Sequence, residues 1–270
     1  MVYIALVTGA SSGLGEAAAR RLSCEPDTEL VLVARRRDRL EALAAELAPT
    51  PVTVIAADLT DAGAPGRIRD TLNSEHGGQL HMLVNNAGAA WRGTFGETGW
   101  ANVERHMKLN FEAPLRLTEA LLPLLRTAAA RTADGDRRVC VVNVSSTAGR
   151  VSRPGSGAYS ASKFALAGWS DALYAEERPH GVHVGLVLPG FIATEGFPGA
   201  ELLANPLTRW LVGKPETVAD AILAAGPGGQ AERYAPRPYR LAAAARMLVP
   251  AIVRRATAGG AFTTKTGHSE

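Results

Sequence analysis

Short, continuous apolar runs alternate with longer amphipathic stretches along most of the chain. Residues 2–8, 29–34, 52–57, 81–84, 139–144 and 182–188 are aliphatic runs of strand length. Such runs suit strands of a sheet covered on both faces. Between them, Glu16–Leu22 and the stretches 35–47, 61–76, 100–130 and 158–177 carry a helical period. Residues 215–225 open with Pro and Glu, as a helix start does, and 231–235 supply a seventh strand. The alternation predicts an α/β fold with a parallel sheet. No internal repeat or linker divides it, so 1–257 reads as one domain.

Three stretches depart from this pattern. Pro114 and Pro123 interrupt the 100–130 helix, and Asn110 lies just before the first. A proline frees a carbonyl from its usual partner, so an Asn there reads as structural on residue type alone. Residues 195–213 have no clear period and follow a strand's carboxyl end, which predicts a substrate lid. Residues 239–257 mix Leu241, Met247, Leu248, Ile252 and Val253 with Arg240, Arg246, Arg254 and Arg255, and Pro250 is expected to kink or end any helix there. Two fates are open for this basic segment: lying on an acidic membrane surface, or packing on the subunit or a neighbouring copy. Residues 258–270 read as a disordered tail.

Composition narrows the classes. The chain has 270 residues, 46% apolar and 6% aromatic, enough for one large aliphatic core. A net charge of +3 gives no argument for nucleic acid. The positive excess lies late: Arg233 to Ser269 holds seven basic residues and no acidic one. Cys24 and Cys140 stand outside any motif, which suits a reduced compartment. His180 and His183 form no metal set, so no metal is expected. The chain opens directly into a strand, leaving no room for a signal peptide, and Leu241–Val253 is too short and too charged to span a bilayer. The expected location is the cytoplasm.

Candidate chemistry clusters where strands end. The loop Thr8-Gly9-Ala10-Ser11-Ser12-Gly13-Leu14-Gly15 lies between a strand and a helix, where a backbone can cradle a phosphate. After the second strand stands Ala34 rather than the acidic residue that favours NAD, and Arg35 follows it. Arg35 offers a planar donor fork for a 2′-phosphate and so favours NADP. Asp58-Leu59 closes the third strand, and Asp58 reads equally as an adenine contact or a loop carboxylate. Asn85-Asn86-Ala87-Gly88 follows the fourth, where small residues let the backbone pass close to a flat ligand. Ser146 ends the fifth, and Tyr159 and Lys163 follow at helical i, i+4 spacing. Only 4 of the 29 basic residues are lysine, so one placed a turn after that tyrosine is unlike background charge.

In this order, these motifs resemble the short-chain dehydrogenase/reductase family over about residues 3–195. The matching positions are Thr8-Gly9-x-x-x-Gly13-x-Gly15, Asn85-Asn86-Ala87-Gly88, Asn110, Ser146, Tyr159-x-x-x-Lys163 and Pro189-Gly190-x-x-x-Thr194. The resemblance implies a Rossmann-type doubly wound sheet in the order 3-2-1-4-5-6-7. It implies hydride transfer between a nicotinamide and a carbonyl or secondary alcohol. It makes Ser146, Tyr159 and Lys163 catalytic, with Asn110 as a fourth member holding a water in the proton relay. The expected NADP(H) contacts are Gly9, Ser11, Ser12, Gly13, Leu14, Gly15, Arg35, Asp58, Leu59, Asn86, Ala87, Gly88, Tyr159, Lys163, Pro189, Gly190, Ile192 and Thr194. Tyr159 would deliver the proton, with Lys163 and the oxidised nicotinamide lowering its pKa from about 10 and Ser146 holding the substrate oxygen.

Trp91, Arg92, Arg153, Phe191, Phe197 and Trp210 fall in loops near the same edge. They suggest a largely apolar pocket with some capacity for an anion, hence a hydrophobic ketone, aldehyde or alcohol. A homodimer or homotetramer is expected. Two other readings remain open: a non-catalytic NADPH sensor or scaffold of this fold, and an isomerase or epimerase acting through transient oxidation.

Overall fold

The computed structural model describes residues 2–133, 137–195 and 209–258, with only the main chain at Trp210. Seven strands form one parallel sheet: β1 (Tyr3–Thr8), β2 (Thr28–Ala34), β3 (Val52–Ala56), β4 (Met82–Asn85), β5 (Cys140–Val144), β6 (His183–Pro189) and β9 (Glu232–Ala235). Their order is β3-β2-β1-β4-β5-β6-β9. This is the expected doubly wound topology, with the seventh place filled by β9. Two short strands, β7 (Phe191–Ile192) and β8 (Val212–Gly213), pair apart from the sheet; the sequence did not announce them.

The central strands feed two cores. Along β1, Tyr3, Ala5 and Val7 enter the cluster on one face, and Ile4 and Leu6 enter the other. In β2, Leu30 and Leu32 are divided from Val31 and Val33 in the same way. Period-two alternation therefore becomes a continuous apolar run, because both faces are covered. One face carries α1 (Gly13–Ser23), α2 (Arg37–Glu46) and α7 (Pro215–Ala225). The other carries α3 (Ala64–Glu75), α5 (Ala113–Ala129) and part of α6 (Gly157–Glu177). Each large aliphatic side chain buried here contributes roughly 1.5–3 kcal/mol. Strand order reverses between β1 and β4, which opens a crevice at the sheet's carboxyl edge.

The expected helix over 100–130 is a continuous helical run of two α-helical parts joined by a wide turn. Helix α4 (Phe95–Met107) starts earlier, under a Thr94–Glu97 capping box, and Gly99 kinks it. A wide turn, Lys108–Glu112, then follows, closed by the Ala113 N–H on the Lys108 carbonyl. Helix α5 continues directly from it, with Pro114 in its first turn. Pro123 is accommodated inside α5. Helix α3 begins at Ala64 rather than 61, with Pro65 in its first turn.

The basic C-terminal segment forms two helices, α8 (Tyr239–Leu248) and α9 (Pro250–Ala258). The first helix ends just before Pro250, as expected, and Pro250 opens the second. The proposed lid lies mostly outside the described residues, as do Phe197 and the tail beyond Ala258.

Candidate active site

The carboxyl ends of β1, β4, β5 and β6 converge on one crevice. Thr8, the last residue of β1, ties two of them together. Its hydroxyl donates to the Val84 carbonyl (3.1 Å) and accepts from the N–H groups of Asn86 (2.9 Å) and Ala87 (3.0 Å). Asn86 returns a bond from Nδ2 to the Thr8 carbonyl at 2.9 Å. The sequence reading placed Thr8 in a motif without giving it this linking role.

The glycine loop fits a pyrophosphate on two counts. Ser12 caps α1 with no side-chain hydrogen bond, so the first-turn N–H donors keep no side-chain partner there. Gly9 and Gly13 have φ of +68° and +58°, which disfavour a side chain, and a Cβ at Gly15 would strike the Gly9 carbonyl. Leu14 packs against the core below. Thr194 reaches the loop from the far side, its Cγ2 lying 3.5 Å from where a Gly13 Cβ would stand.

The basic residues after β2 divide their work. Arg35 is exposed and, through its charge, helps hold the Asp58 carboxyl below its usual range. The larger causes are the Thr60 hydroxyl and N–H, which donate to Asp58 Oδ1 at 2.7 and 2.9 Å. Asp58 Oδ1 is thus engaged within its own loop, and Leu59 beside it is buried. Arg36, which the sequence reading passed over, turns back to the glycine loop. Its Nη2 donates to Ser12 Oγ (2.8 Å) and Ser11 Oγ (3.1 Å).

Ser146, Tyr159 and Lys163 come together beyond β5. Ser146 is extended; its hydroxyl accepts from the Ala148 N–H (3.1 Å) and donates to the Pro189 carbonyl at the end of β6 (3.4 Å). Helix α6 carries the other two on one face, with Lys163 Nζ 6.0 Å from the Tyr159 ring centre. Lys163 is 4% exposed and donates to the Val144 carbonyl at 2.9 Å. Burial pulls its pKa from 10.5 down to about 8.

Tyr159 departs from the expected electrostatics. Burial raises its pKa, and the Ser146 hydroxyl and the charges of Arg153 and Arg92 only partly oppose this. Lys163 is not among the groups that lower it. Lys163 is bonded to Val144 and itself partly neutral near pH 8, so the protein's own groups leave Tyr159 above its ordinary value.

Asn110 is completely buried in the wide turn before α5. Its Oδ1 accepts from the Ala89 N–H and its Nδ2 donates to the Ala89 carbonyl, both at 2.9 Å. Nδ2 also donates to Ser162 Oγ (3.1 Å), and that hydroxyl donates to the Tyr159 carbonyl (2.7 Å). The side chain is committed to positioning the 88–89 segment and α6, a structural role of the kind residue type alone suggested. A water held by Asn110 would therefore need its backbone. Gly88 lies between: a Cβ there would stand 2.9 Å from Asn110 Oδ1 and 3.4 Å from Lys163 Nζ.

The surroundings of Tyr159 are aromatic and basic. His106, missed at the sequence level, is fully buried; its Nε2 accepts from the Trp91 N–H (3.0 Å), so Nδ1 donates to the Asn102 carbonyl (2.6 Å). Burial pushes its pKa down, and its ring stands edge-on to Trp91 (4.9 Å) and Tyr159 (6.1 Å). Arg153 lies over the Phe191 ring at 4.6 Å, and Phe191 meets Tyr239 edge-on at 6.4 Å. Tyr239 fills the space a Gly190 side chain would need, donates its hydroxyl to the Leu211 carbonyl (2.9 Å), and accepts from the Phe191 N–H (3.4 Å). Ile192 is buried against the core. Among the described residues no group of three or more His, Cys, Asp or Glu could hold a metal.

The doubly wound parallel sheet, with an uncapped glycine loop at its switch point, defines a Rossmann-type α/β domain. The family model for short chain dehydrogenase matches residues 3–200, and the chain belongs to that family. It is 37% identical over 201 residues to a Bos taurus dehydrogenase/reductase SDR family member 7B, covering 71% of this chain but 58% of that protein's length. It is 32% identical over 220 residues to a Bacteroides thetaiotaomicron 3-ketodihydrosphingosine reductase, covering 82% of this chain and 73% of that one. Among solved structures it resembles an NADP active-site complex of Pseudomonas aeruginosa RhlG, 27% identical with a TM-score of 0.74, covering 86% and 93% of the two chains.

Proposed function

We propose that the protein is an NADP(H)-dependent oxidoreductase that interconverts a hydrophobic ketone or aldehyde and its alcohol. The observation that carries this is the convergence of Ser146, Tyr159 and Lys163 at the sheet edge beside the uncapped glycine loop. When bound, the dinucleotide supplies a hydride to the carbonyl carbon. The protein's part is to bind, orient and protonate. The Ser146 hydroxyl holds the substrate oxygen, and the Tyr159 phenol, kept protonated by burial, gives that oxygen its proton. Lys163 sits beside Gly88, where its ammonium would meet the nicotinamide ribose.

The preference for NADP rests on Arg35, exposed at the end of β2 where an acidic residue would favour NAD. The NADP complex of RhlG and the name of the 3-ketodihydrosphingosine reductase favour a phosphorylated dinucleotide and a long-chain ketone. The aromatic wall of Trp91, His106 and Phe191 is consistent with the latter. Free Cys24 and Cys140 suit a cytoplasmic setting. A groove of about 620 Å³ between the end of α4, the wide turn, α5 and α6, lined by Met107, Phe111, Leu115, Leu122 and Trp169 and by the charged Glu112, Arg116 and Glu119, favours a homodimer or homotetramer.

NADPH oxidation against a panel of aliphatic, aromatic and sugar carbonyls tests the reading. Turnover of apolar carbonyls, faster with NADPH than NADH, is expected. No turnover of any carbonyl, or turnover confined to small polar sugars, would overturn it.

A further inference from the structure

The α8–α9 hairpin keeps its largest apolar side chains in solvent. Leu241 is 66% exposed, Met247 82%, Leu248 81% and Ile252 66%. Only Ala243 is buried in α8, and no residue is buried in α9. Helix α9 packs mainly on α8 rather than on the body of the fold. The segment is anchored to its own subunit at Tyr239 and Ala243, but its large apolar side chains are left uncovered.

The charge around these residues has one sign. Arg237, Arg240, Arg254 and Arg255 are exposed, Arg246 is half-buried, and neither helix contains an acidic residue. Apolar side chains flanked by guanidinium groups complement an anionic lipid surface: the alkyl groups enter the acyl boundary and the cations meet the phosphates. A second copy of the hairpin is the weaker candidate, because it would bring like charges together. Neither helix has the length and apolarity to cross a bilayer.

The hairpin is also joined to the substrate side of the site. Its first residue, Tyr239, holds the 190–191 turn and Leu211, and Phe191 beside it lies under Arg153. Arg153 in turn acts on Tyr159. A surface that received the hairpin would lie next to the mouth of the catalytic crevice.

We propose that the α8–α9 hairpin docks the protein on anionic lipid bilayers and presents the crevice to a carbonyl dissolved in them. The second half rests on the reductase reading above; the docking does not.

The test is sedimentation of the full-length protein with vesicles of phosphatidylcholine containing phosphatidylglycerol, alongside NADPH oxidation with a water-soluble ketone. Wild type is expected to sediment with anionic vesicles, to bind neutral ones far less, and to lose about tenfold in binding between 0.05 and 0.5 M salt. The variant Met247→Ser/Leu248→Ser/Ile252→Ser and the variant Arg254→Glu/Arg255→Glu are expected to stay in the supernatant while oxidising the soluble ketone as wild type does. These side chains are exposed, and circular dichroism of both variants checks that the fold survives. No sedimentation of wild type at low salt, or unchanged binding by both variants, overturns the docking. So does a wild-type dimer that the serine variant dissociates without any vesicle binding; the face then belongs to a second copy. Vesicle binding without ketone turnover supports the docking and defeats the reductase reading, and the converse result does the reverse.

Discussion

The Lys163 ammonium donates to the carbonyl of Val144, the last residue of β5, across 19 positions of sequence. The bond fixes where α6 stands against the sheet, and burial draws the lysine's pKa down to about 8. Between pH 8 and 10.5 the folded protein therefore binds fewer protons than the unfolded chain, and this group's contribution to stability rises with pH over that window. Below about pH 8 the cost of the buried charge is fully present, about 3 kcal/mol. Lys163→Met is expected to lose activity yet to unfold at higher urea at pH 7, by roughly 1–2 kcal/mol once the lost Val144 bond is counted. In wild type, carbonyl reduction is expected to fall as pH rises through about 8, where the ammonium is lost. A pH profile of kcat/KM flat to pH 10 would contradict this.

Tyr159→Phe removes the proton donor and leaves the ring. Turnover is expected to drop to background, while NADPH binding, followed by nicotinamide fluorescence, stays within about threefold of wild type, since each threefold is under 1 kcal/mol. Retained turnover would remove Tyr159 from the mechanism.

Arg35 and Arg36 separate by experiment. Arg35→Ala is expected to raise the KM for NADPH about ten- to hundredfold and leave that for NADH nearly unchanged, the loss of one charge-assisted contact. Arg36→Ala releases Ser11 and Ser12 and is expected to weaken both dinucleotides together. Equal effects of the two variants on both dinucleotides would refute the division.

Asn110→Ala leaves the Ala89 N–H and carbonyl without their side-chain partner. A loss of about 1–3 kcal/mol in urea unfolding is expected, together with a lower kcat as the 88–89 segment moves. Asn110→Asp keeps only the acceptor, so it retains the Ala89 N–H bond and loses the bonds to the Ala89 carbonyl and Ser162.

The parallel sheet and the crevice were legible because aliphatic runs with glycine, serine and small residues at their ends admit few other arrangements. The places the sequence did not disclose have a common cause. Arg36, His106 and Tyr239 act through contacts 15 to 48 residues away, and no local pattern marks a side chain that turns back on the chain. The raised pKa that the protein's own groups give Tyr159 has a related cause. Spacing places Lys163 one turn away but says nothing of the Val144 carbonyl that claims its proton, nor of the burial that dominates both groups. The break at 108–112 followed from Pro114 in outline, but its form depends on which side chains the turn delivers inward.

That turn holds one residue more than a regular helix would across the same span. An added or deleted residue between Lys108 and Glu112 would act like a shift of reading frame in three dimensions. Each residue turns a helix by about 100°, so deleting one would straighten the join of α4 and α5 and swing Asn110 away from Ala89. Point substitutions on the solvent side of this turn are then absorbed, whereas single-codon insertions and deletions are not. Variation in length among functional variants of this chain is expected to avoid these five positions while remaining free in the loops nearby.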